Sequence, residues 1–464
     1  MDSTVNSPAE QYTAIVASPI LNGEARLVID ENELRIVALF GIVPVPYSKI
    51  ISLTMVNYMV IVKTDSEDYI FSQLGRQCLP FFNTLSEAYN KAVVRALFIK
   101  GTPSPIVKGN YSFIEGDISS NGSASIQVYE NCIASLPSNL DARRIPLCFV
   151  TGMEKKDFEL ILKLDTNNSY SFSKLGYDTA PFTEAVEKNI RRIREDTLSA
   201  VMEIDPSLTP LQASELSRIT SLRATASLGQ LTSIAPSFKK ALETKLNTSH
   251  AKETYSIFKE LCDPSNIWVG FRKNENTNEE VSNESIEGDS SKEIEETVPE
   301  PYLFWFIVPS PNLMYAAVEF AEADSATFIY RTEGNFVDFA KQLNHALEAI
   351  DFKREVIRLS DKELLLSENV NYLMASKRTA ALQFIRSRFH GRIIHSNINS
   401  WKQNLLKKWG IEETTTIPYQ EEISEVNTIR IQKEVPQPVV KYCSQCGTVI
   451  KVGAMFCSNC GAKL

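Results

Sequence analysis

The hydrophobic positions of the chain change their spacing several times, and each change predicts a new secondary-structure element. In the N-terminal part, stretches with strand-like alternation are followed by a stripe with helical spacing. The predicted strands cover residues 25–29, 34–38, 50–55 and 59–62. The helical stripe after them consists of Phe81, Leu85, Ala88, Tyr89, Ala92 and Val93. Because these residues lie on one helical face, the helix is expected to pack on the strands before it.

The segment at this change of spacing occurs twice. Residues 69–75 read YIFSQLG, residues 170–176 read YSFSKLG, and a Pro-Phe pair follows each copy. The offset is 101 residues, and seven of the 13 aligned positions are identical. The second copy is preceded by predicted strands at 125–129, 145–150 and 160–164, and is followed by an apolar stripe on Phe182, Ala185, Val186, Asn189, Ile190 and Ile193. We infer two copies of one domain.

The order of several strands and one closing amphipathic helix resembles that of bacterial PH-like domains. Two phrases carry the resemblance, PYSKIIS at 46–52 and YIF at 69–71, and it covers about residues 20–200. It implies two β-barrels, each closed by a helix, which bind proteins, peptides or lipids through their rims and strand edges. The aromatic and leucine positions of the repeated motif are expected to be core residues: Tyr69, Phe71, Leu74 and Phe81, with their equivalents in the second copy.

The cysteines divide into two groups. Four occur singly, as Cys78, Cys132, Cys148 and Cys262, which is typical of buried thiols in a reducing compartment. The other four form two CxxC pairs near the C-terminus, each followed by a glycine, namely Cys443, Cys446, Cys457 and Cys460. Two such pairs can surround one tetrahedral Zn²⁺, whereas the alternative of two disulfides requires an oxidising compartment. Because all four ligands are thiolates, the zinc is expected to be structural.

The C-terminal sequence YCSQCGTVIKVGAMFCSNCGAKL resembles the short zinc-ribbon modules of bacterial and archaeal proteins. The resemblance covers residues 442–464 and implies a fold rather than a function. So small a unit has almost no hydrophobic core, so metal binding is expected to supply most of its folding free energy.

Charge is unevenly distributed. The formal net charge is −9, and residues 273–300 contain ten acidic residues against two lysines. This segment contains no aromatic residue and is rich in Glu, Asn and Ser, so it cannot bury enough apolar surface to fold. We interpret it as a disordered acidic linker, with an acidic interaction tail as the alternative.

A basic segment at 375–409 has the opposite character. It contains no acidic residue, and aromatic residues and two histidines, His390 and His395, are interleaved with its basic ones. One interpretation is a solvated face whose aromatics pack inward and whose charges cover acids elsewhere. The other is a surface that binds nucleic-acid phosphate or anionic lipid. Its candidate anion-binding residues are Lys377, Arg378, Arg386, Arg388, Arg392, Lys402, Lys407 and Lys408.

Three local predictions concern the third part of the chain. Ser400 and Gln403 have the spacing of a capping box, which predicts a final helix with Trp401, Leu405 and Trp409 on one face. His345 lies opposite Phe336 on a predicted helix and is expected to face solvent. His390 and His395 are expected at a helix end.

The sequence thus predicts a multidomain α+β protein with seven segments. They are PH-like units at 20–100 and 101–205, a helical connector at 206–272, a disordered acidic linker at 273–300, a third α+β unit with a basic helical end at 301–410, a linker at 411–440 and the zinc ribbon at 441–464. The third unit has predicted strands at 302–308, 313–320 and 326–330 before a helix, so a diverged PH-like unit is an alternative for it.

Neither a nucleotide-binding glycine loop nor a hydrolase or metalloprotease motif occurs in the sequence. The N-terminus lacks the pattern of a signal peptide, and the longest apolar run is too short to span a membrane. We therefore expect a cytoplasmic, non-enzymatic adaptor or scaffold that binds protein partners and carries Zn²⁺. The alternatives are a factor that binds nucleic acid or anionic lipid through the basic segment and the ribbon, and an enzyme with a site assembled from scattered residues.

Overall fold

The computed structural model describes residues 11–273, 302–321, 326–395 and 397–411, together with the strand residues 441–442 and 449–450. The chain divides into two compact units, Met1–Tyr419 and Gln420–Leu464. Among the described residues, no helix is long and apolar enough to cross a membrane. The predicted acidic segment, apart from Lys273, and the predicted linker at 411–440, apart from Ile411, lie outside the described residues.

The first module is an antiparallel seven-stranded sheet followed by a helix, and its strands pair in the order β4-β3-β2-β1-β7-β6-β5. Its elements are β1 (Gln11–Ala17), β2 (Asn22–Ile29), β3 (Glu33–Ala38), β4 (Gly41–Pro46), β5 (Ile50–Val56), β6 (Met59–Thr64), β7 (Asp68–Ser72) and α1 (Cys78–Ala96). The predicted stripe of α1 faces the sheet, and Phe81, Leu85 and Tyr89 are fully buried there.

The second module has the equivalent strand order, β11-β10-β9-β8-β14-β13-β12, and again a helix follows the sheet. Its elements are β8 (Ile106–Glu115), β9 (Ile118–Val128), β10 (Cys132–Leu136), β11 (Arg143–Pro146), β12 (Val150–Lys156), β13 (Glu159–Leu164), β14 (Ser169–Ser173) and α2 (Thr179–Ile204).

The repeated motif occupies the same place in both modules. Phe71 packs edge-on against Phe81 with ring centroids 5.6 Å apart, and Phe172 packs the same way against Phe182 at 5.4 Å. The glycine of the motif begins the short 3-10 turn that leads into the helix, with φ of +56° at Gly75 and +61° at Gly176. A left-handed backbone favours glycine, which explains why the Leu-Gly pair recurs.

The third module is a six-stranded sheet, β15-β16-β17-β18-β19-β20, with helices on both faces. Its strands are β15 (Thr225–Ser227), β16 (Trp268–Lys273), β17 (Tyr302–Pro309), β18 (Tyr315–Phe320), β19 (Ala326–Arg331) and β20 (Phe389–Ile394). Its helices are α3 (Pro210–Ile219), α4 (Leu228–Ile234), α5 (Pro236–Thr248), α6 (Lys252–Leu261), α7 (Phe336–Ala349), α8 (Glu355–Arg358), α9 (Asp361–Leu364), α10 (Val370–Arg378), α11 (Ala380–Arg388) and α12 (Ile398–Lys408).

The predicted boundary between a helical connector and a third unit falls inside this sheet. Strands β15 and β16 come from the predicted connector, and β16 pairs with β17 along its length, with Lys273 opposite Tyr302. The acidic segment therefore joins two neighbouring strands of one sheet and does not separate two domains. Periodicity missed the two strands because β15 has only three residues and β16 stands alone after four helices.

Three local predictions in this module were wrong. The final helix α12 begins at Ile398 and is capped by Asn397, one turn before the proposed Ser400 box, although Trp401 and Trp409 are buried as expected. The histidine-containing stretch 389–394 is a strand and not a helix end, since it completes the edge of the sheet. His345 is buried, because the second module covers the face of α7 that is turned away from its own sheet.

The three modules share buried contacts. All five residues of β10 are buried, and Cys132, Ala134 and Leu136 belong to the hydrophobic core of the first module. Met374 of α10 joins that same core from the third module. Through these contacts the three modules pack together.

A buried ion pair joins the second and third modules. The Arg144 guanidinium donates to both carboxylate oxygens of Glu348 at 2.5 and 2.6 Å, and the two side chains are only 3% and 0% exposed. Burial opposes the charge on Arg144, but the Glu348 carboxylate outweighs it and raises the pKa of the guanidinium. Close by, Asp351 accepts ion pairs from Lys100, Arg223 and Arg272.

His345 adds a second polar contact at this junction. Its Nε2 lies 2.6 Å from Asp165 Oδ1, and its ring stacks on Phe149 at 4.0 Å between centroids.

Replacing Phe71 or Phe172 by alanine should lower the free energy of unfolding by about 3–5 kcal/mol, because each ring is buried against a second phenylalanine. Urea denaturation followed by circular dichroism measures the change. A loss below about 1 kcal/mol at either position would contradict the proposed equivalence of the two core sites.

Replacing Arg144 by methionine should destabilise the protein by about 3–5 kcal/mol, because the buried Glu348 carboxylate then loses its hydrogen-bonded partner and keeps only Arg223, 3.9 Å away, as a counter-charge. The double variant Arg144→Met with Glu348→Met should recover most of the loss, since it removes both charges of the buried pair. The matched control is Lys155→Met, which breaks an exposed pair with Glu187 and should change stability by less than about 1 kcal/mol. A double variant no more stable than Arg144→Met would contradict this account.

Candidate functional site

A cleft of about 1310 Å³ lies between the first and second modules. One wall is the outer face of α1, the opposite wall is the β8–β9 hairpin, and β5 with residues 136–139 closes the end. Because α1 must turn its apolar stripe to its own sheet, its polar face is left to line the cleft.

The cleft results from the path of β10. This strand pairs with β9 only from Ser125 to Val128, and the chain after Leu136 then leaves β9. It crosses to the first module, where the Ser138 carbonyl accepts a hydrogen bond from Leu53 N–H at 2.7 Å. The part of β9 before Ser125 therefore pairs with β8 alone and presents a free edge along the cleft.

The lining is dominated by amides and hydroxyls. Two of them, Ser86 and Asn90, lie one turn apart on α1, and their buried atoms Ser86 Oγ and Asn90 Oδ1 have no hydrogen-bond partner among the described residues. The side-chain amide nitrogen of Asn90 donates to Leu136 O at 3.5 Å. The amide oxygen of Asn90 therefore points away from Leu136. A buried polar atom without a partner is costly, so these two atoms favour a bound polar group.

Sequence reasoning missed this cleft. Two features of the sequence could have indicated it. One is the pair of polar positions Ser86 and Asn90 beside the apolar stripe of α1. The other is the Ser/Gly-rich run SSNGSAS at 119–125, which is unusual for a strand with both edges paired.

The candidate anion-binding residues of the basic segment do not form one surface. Arg378 is 2% exposed and donates to Tyr89 Oη at 2.6 Å. Lys377 donates to Ser48 O at 3.1 Å and lies 3.8 Å from Asp65. Both side chains fasten α10 to the first module, and Arg378 is too deeply buried to reach an external anion.

Three further members of the set are paired with acids. Arg386 contacts Asp361 at 3.0 Å, Arg388 contacts Glu333 at 3.2 Å, and Lys402 lies 3.7 Å from Glu260. The interleaved aromatics pack inward, with Trp401 and Trp409 in the core. For these residues the structure matches the interpretation of a basic face that covers acids elsewhere.

Arg392, Lys407 and Lys408 are different, since their side chains have no ion-pair partner within the described ranges. Lys408 lies over Gly391, next to His390 in the chain. Arg331 of β19, which sequence reasoning did not single out, lies opposite Tyr315 in the strand register, and the Tyr315 ring lies 5.3 Å from that of His390. We call Arg331, His390 and Lys408 the cationic cluster.

A second histidine, His395, belongs to a closed network in the third module. Its Nε2 lies 2.9 Å from Glu319 Oε1, and Thr327 Oγ1 donates to the other oxygen of Glu319 at 2.6 Å. The Trp401 indole N–H donates to Thr327 Oγ1 at 2.7 Å. The hydrogen bond to Glu319 raises the pKa of His395 despite its burial. Thr327 and Glu319 are fully buried, so this arrangement ties α12 to the sheet and offers no exposed nucleophile.

The four single cysteines carry free thiols. Cys78 and Cys132 are buried, and Cys148 and Cys262 are partly buried. Burial raises the pKa of Cys132 to about 11 and that of Cys262 to about 12, which keeps both thiols protonated.

The four candidate zinc ligands, Cys443, Cys446, Cys457 and Cys460, lie outside the described residues. The described strands β21 (Lys441–Tyr442) and β22 (Val449–Ile450) pair antiparallel on either side of the first CxxC pair. Within the part of the chain that the structure describes, no other cluster of His, Cys, Asp and Glu could hold a metal.

Comparison with known proteins adds one finding. No curated protein matches the chain. Residues 442–464 match the family model of the zinc-ribbon domain, a family that implies zinc binding. The C-terminal segment of this chain is therefore a zinc-ribbon domain.

Proposed function

We propose that this protein is a non-enzymatic adaptor or scaffold of the cytoplasm, built on two tandem PH-like modules, that binds an extended segment of a partner protein in the cleft between them. The observation that carries the proposal is the free edge of β9, which faces a cleft with two unpartnered polar atoms on its other wall.

The PH-like assignment is supported by topology. Each of the first two modules has seven antiparallel strands in equivalent order and one helix after the last strand. Their repeated motif places equivalent phenylalanine pairs at the junction of sheet and helix. The third module has helices on both faces of its sheet, which does not favour a third PH-like unit.

The chemistry of the cleft favours a polypeptide backbone as the ligand. An unpaired strand edge presents N–H and C=O groups at the spacing of an extended chain, and such edges bind peptides by strand addition. The Asn and Ser side chains of the opposite wall both donate and accept hydrogen bonds, as a peptide backbone does. The charged residues of the lining are Lys91, Arg95 and Lys108 against Glu87, a net charge of +2, which favours a segment with acidic side chains.

In this proposal the zinc ribbon provides a second contact with a protein partner. Four thiolates leave Zn²⁺ no open coordination position, so the metal stabilises the fold and carries no reaction. The free thiols of the four single cysteines support a reducing compartment.

The cleft is tested by selecting a random peptide library against the full chain and measuring the affinity of a selected peptide by fluorescence polarisation. Asn90→Trp should weaken binding at least about tenfold, because an indole fills the floor of the cleft and costs more than about 1.4 kcal/mol of binding free energy. Thr54→Trp, at an exposed position on the rim, should act in the same direction.

The matched control is Arg191→Trp. Arg191 lies 101 residues after Asn90, at the equivalent exposed position of α2, and it does not line the cleft. This variant should bind as the unchanged protein does. Peptides that bind all three variants equally would place the binding site elsewhere.

The metal is tested by elemental analysis of protein purified under reducing conditions. We expect one zinc per chain, and Cys443→Ser, Cys446→Ser, Cys457→Ser or Cys460→Ser should each greatly reduce zinc retention while the circular dichroism of the main body is unchanged. The control Cys262→Ser, in α6's C-terminal cap, should keep the full zinc content. Full zinc content in all four ribbon variants would refute the assignment of these ligands.

A further inference from the structure

The cationic cluster brings together three basic side chains from three elements. His390 on β20 lies with its ring 5.3 Å from that of Tyr315 on β18. Lys408, the last residue of α12, crosses over Gly391, where a methyl group would lie 2.7 Å from its Nζ. Gly391 has a φ of +139°, so both its backbone and the space above it favour the absence of a side chain. Arg331 on β19 lies opposite Tyr315 in the strand register, on the side of the sheet where Tyr315 meets His390.

The charges of this cluster are not compensated within the described ranges. Arg331 and Lys408 have neither an ion pair nor a side-chain hydrogen bond there. The first acidic residue after β19, Glu333, forms an ion pair with Arg388. Burial, followed by Lys408 and Arg331, lowers the pKa of His390. The groups that face His390 are thus Arg331, Lys408 and the neutral Tyr315, and none of them is negative.

The neighbouring charges make the contrast clear. On α12 itself, Lys402 is matched with Glu260, and just before β20, Arg388 is matched with Glu333. A folded chain usually keeps like charges apart or pairs each with an opposite charge, because their mutual repulsion and their desolvation cost free energy. Three basic groups held together without an acid are the arrangement that an anionic ligand stabilises.

We propose that Arg331, His390 and Lys408 form a binding site for a phosphoryl group, on a small phosphate ester or on a lipid headgroup. A guanidinium matches two phosphate oxygens with parallel N–H donors, and a lysine ammonium adds a compact charge. The imidazolium of His390 donates a third hydrogen bond once the anion restores its proton. This site is separate from the peptide cleft, so it stands independently of the proposed function.

The test follows the four histidines of the full chain by NMR after selective labelling at the imidazole Cε1. Inorganic phosphate, added at constant ionic strength, should shift the His390 resonance saturably and raise its pKa, because an anion stabilises the imidazolium. His250, His345 and His395 should not respond. Arg331→Gln and Lys408→Gln should each weaken the phosphate affinity about tenfold, the value of one charge-assisted hydrogen bond.

The matched control is Lys402→Gln, which removes the same charge from the same helix but outside the cluster, and should change the affinity by less than about twofold. If the chemical shifts of His345 and His395 are unchanged in the Arg331→Gln and Lys408→Gln variants, these variants are folded.

The source of the phosphoryl group is distinguished by vesicles of phosphatidylcholine with phosphatidic acid. Sedimentation of the protein with these vesicles, reversed by inorganic phosphate, assigns the site to a lipid headgroup. A saturable His390 shift without vesicle binding assigns it to a small phosphate ester. A His390 resonance that does not saturate, or one whose response is equal in Arg331→Gln, Lys408→Gln and Lys402→Gln, overturns the proposal.

Discussion

The ion pair of Arg144 with Glu348 is the contact on which the relation of the modules depends. It lies where water is excluded, so each charge needs a partner, and the second and third modules cannot separate without taking Arg144 away from Glu348. The first module is held in the same way, since Arg378 of the third module is buried against Tyr89 and that tyrosine donates to Asn139 of the second module. Buried polar contacts, which require one geometry, thus fix the relative positions of the three modules. The hydrophobic cores account for most of the buried surface.

A fixed relation of the modules is what gives the cleft a defined shape. Its walls belong to different modules, and β10, which ends beside it, contributes to the core of one module and to the sheet of the other. If the modules moved freely, the edge of β9 and the polar face of α1 would not lie at a constant distance. A pre-formed cleft loses less entropy on binding than one assembled by the ligand, which is the physical reason for placing recognition at a rigid junction.

Local periodicity predicted the helices α1 and α2, the repeated motif and some of the strands of each module, because these are read from neighbouring residues. It also located the buried phenylalanines, Phe71 and Phe172, and the inner face of α12. What it missed depends on distant partners. Arg144 and Glu348 are 204 residues apart, so no local pattern marks either as buried. The charge of the basic segment was clear from the sequence, but its acids, Asp361, Glu333 and Glu260, come from elsewhere, and only the fold shows which cations remain unmatched.

The pairing of Lys273 with Tyr302 changes the meaning of the acidic stretch between them. Its two ends are held side by side by the β16–β17 ladder, whatever the stretch contains. The entropy of closing such a loop grows only with the logarithm of its length, by about 0.6 kcal/mol for each doubling. Insertions, deletions or a proteolytic cut at this position would therefore leave the sheet continuous. No module would be separated from the others by such a change, because β16 and β17 stay paired.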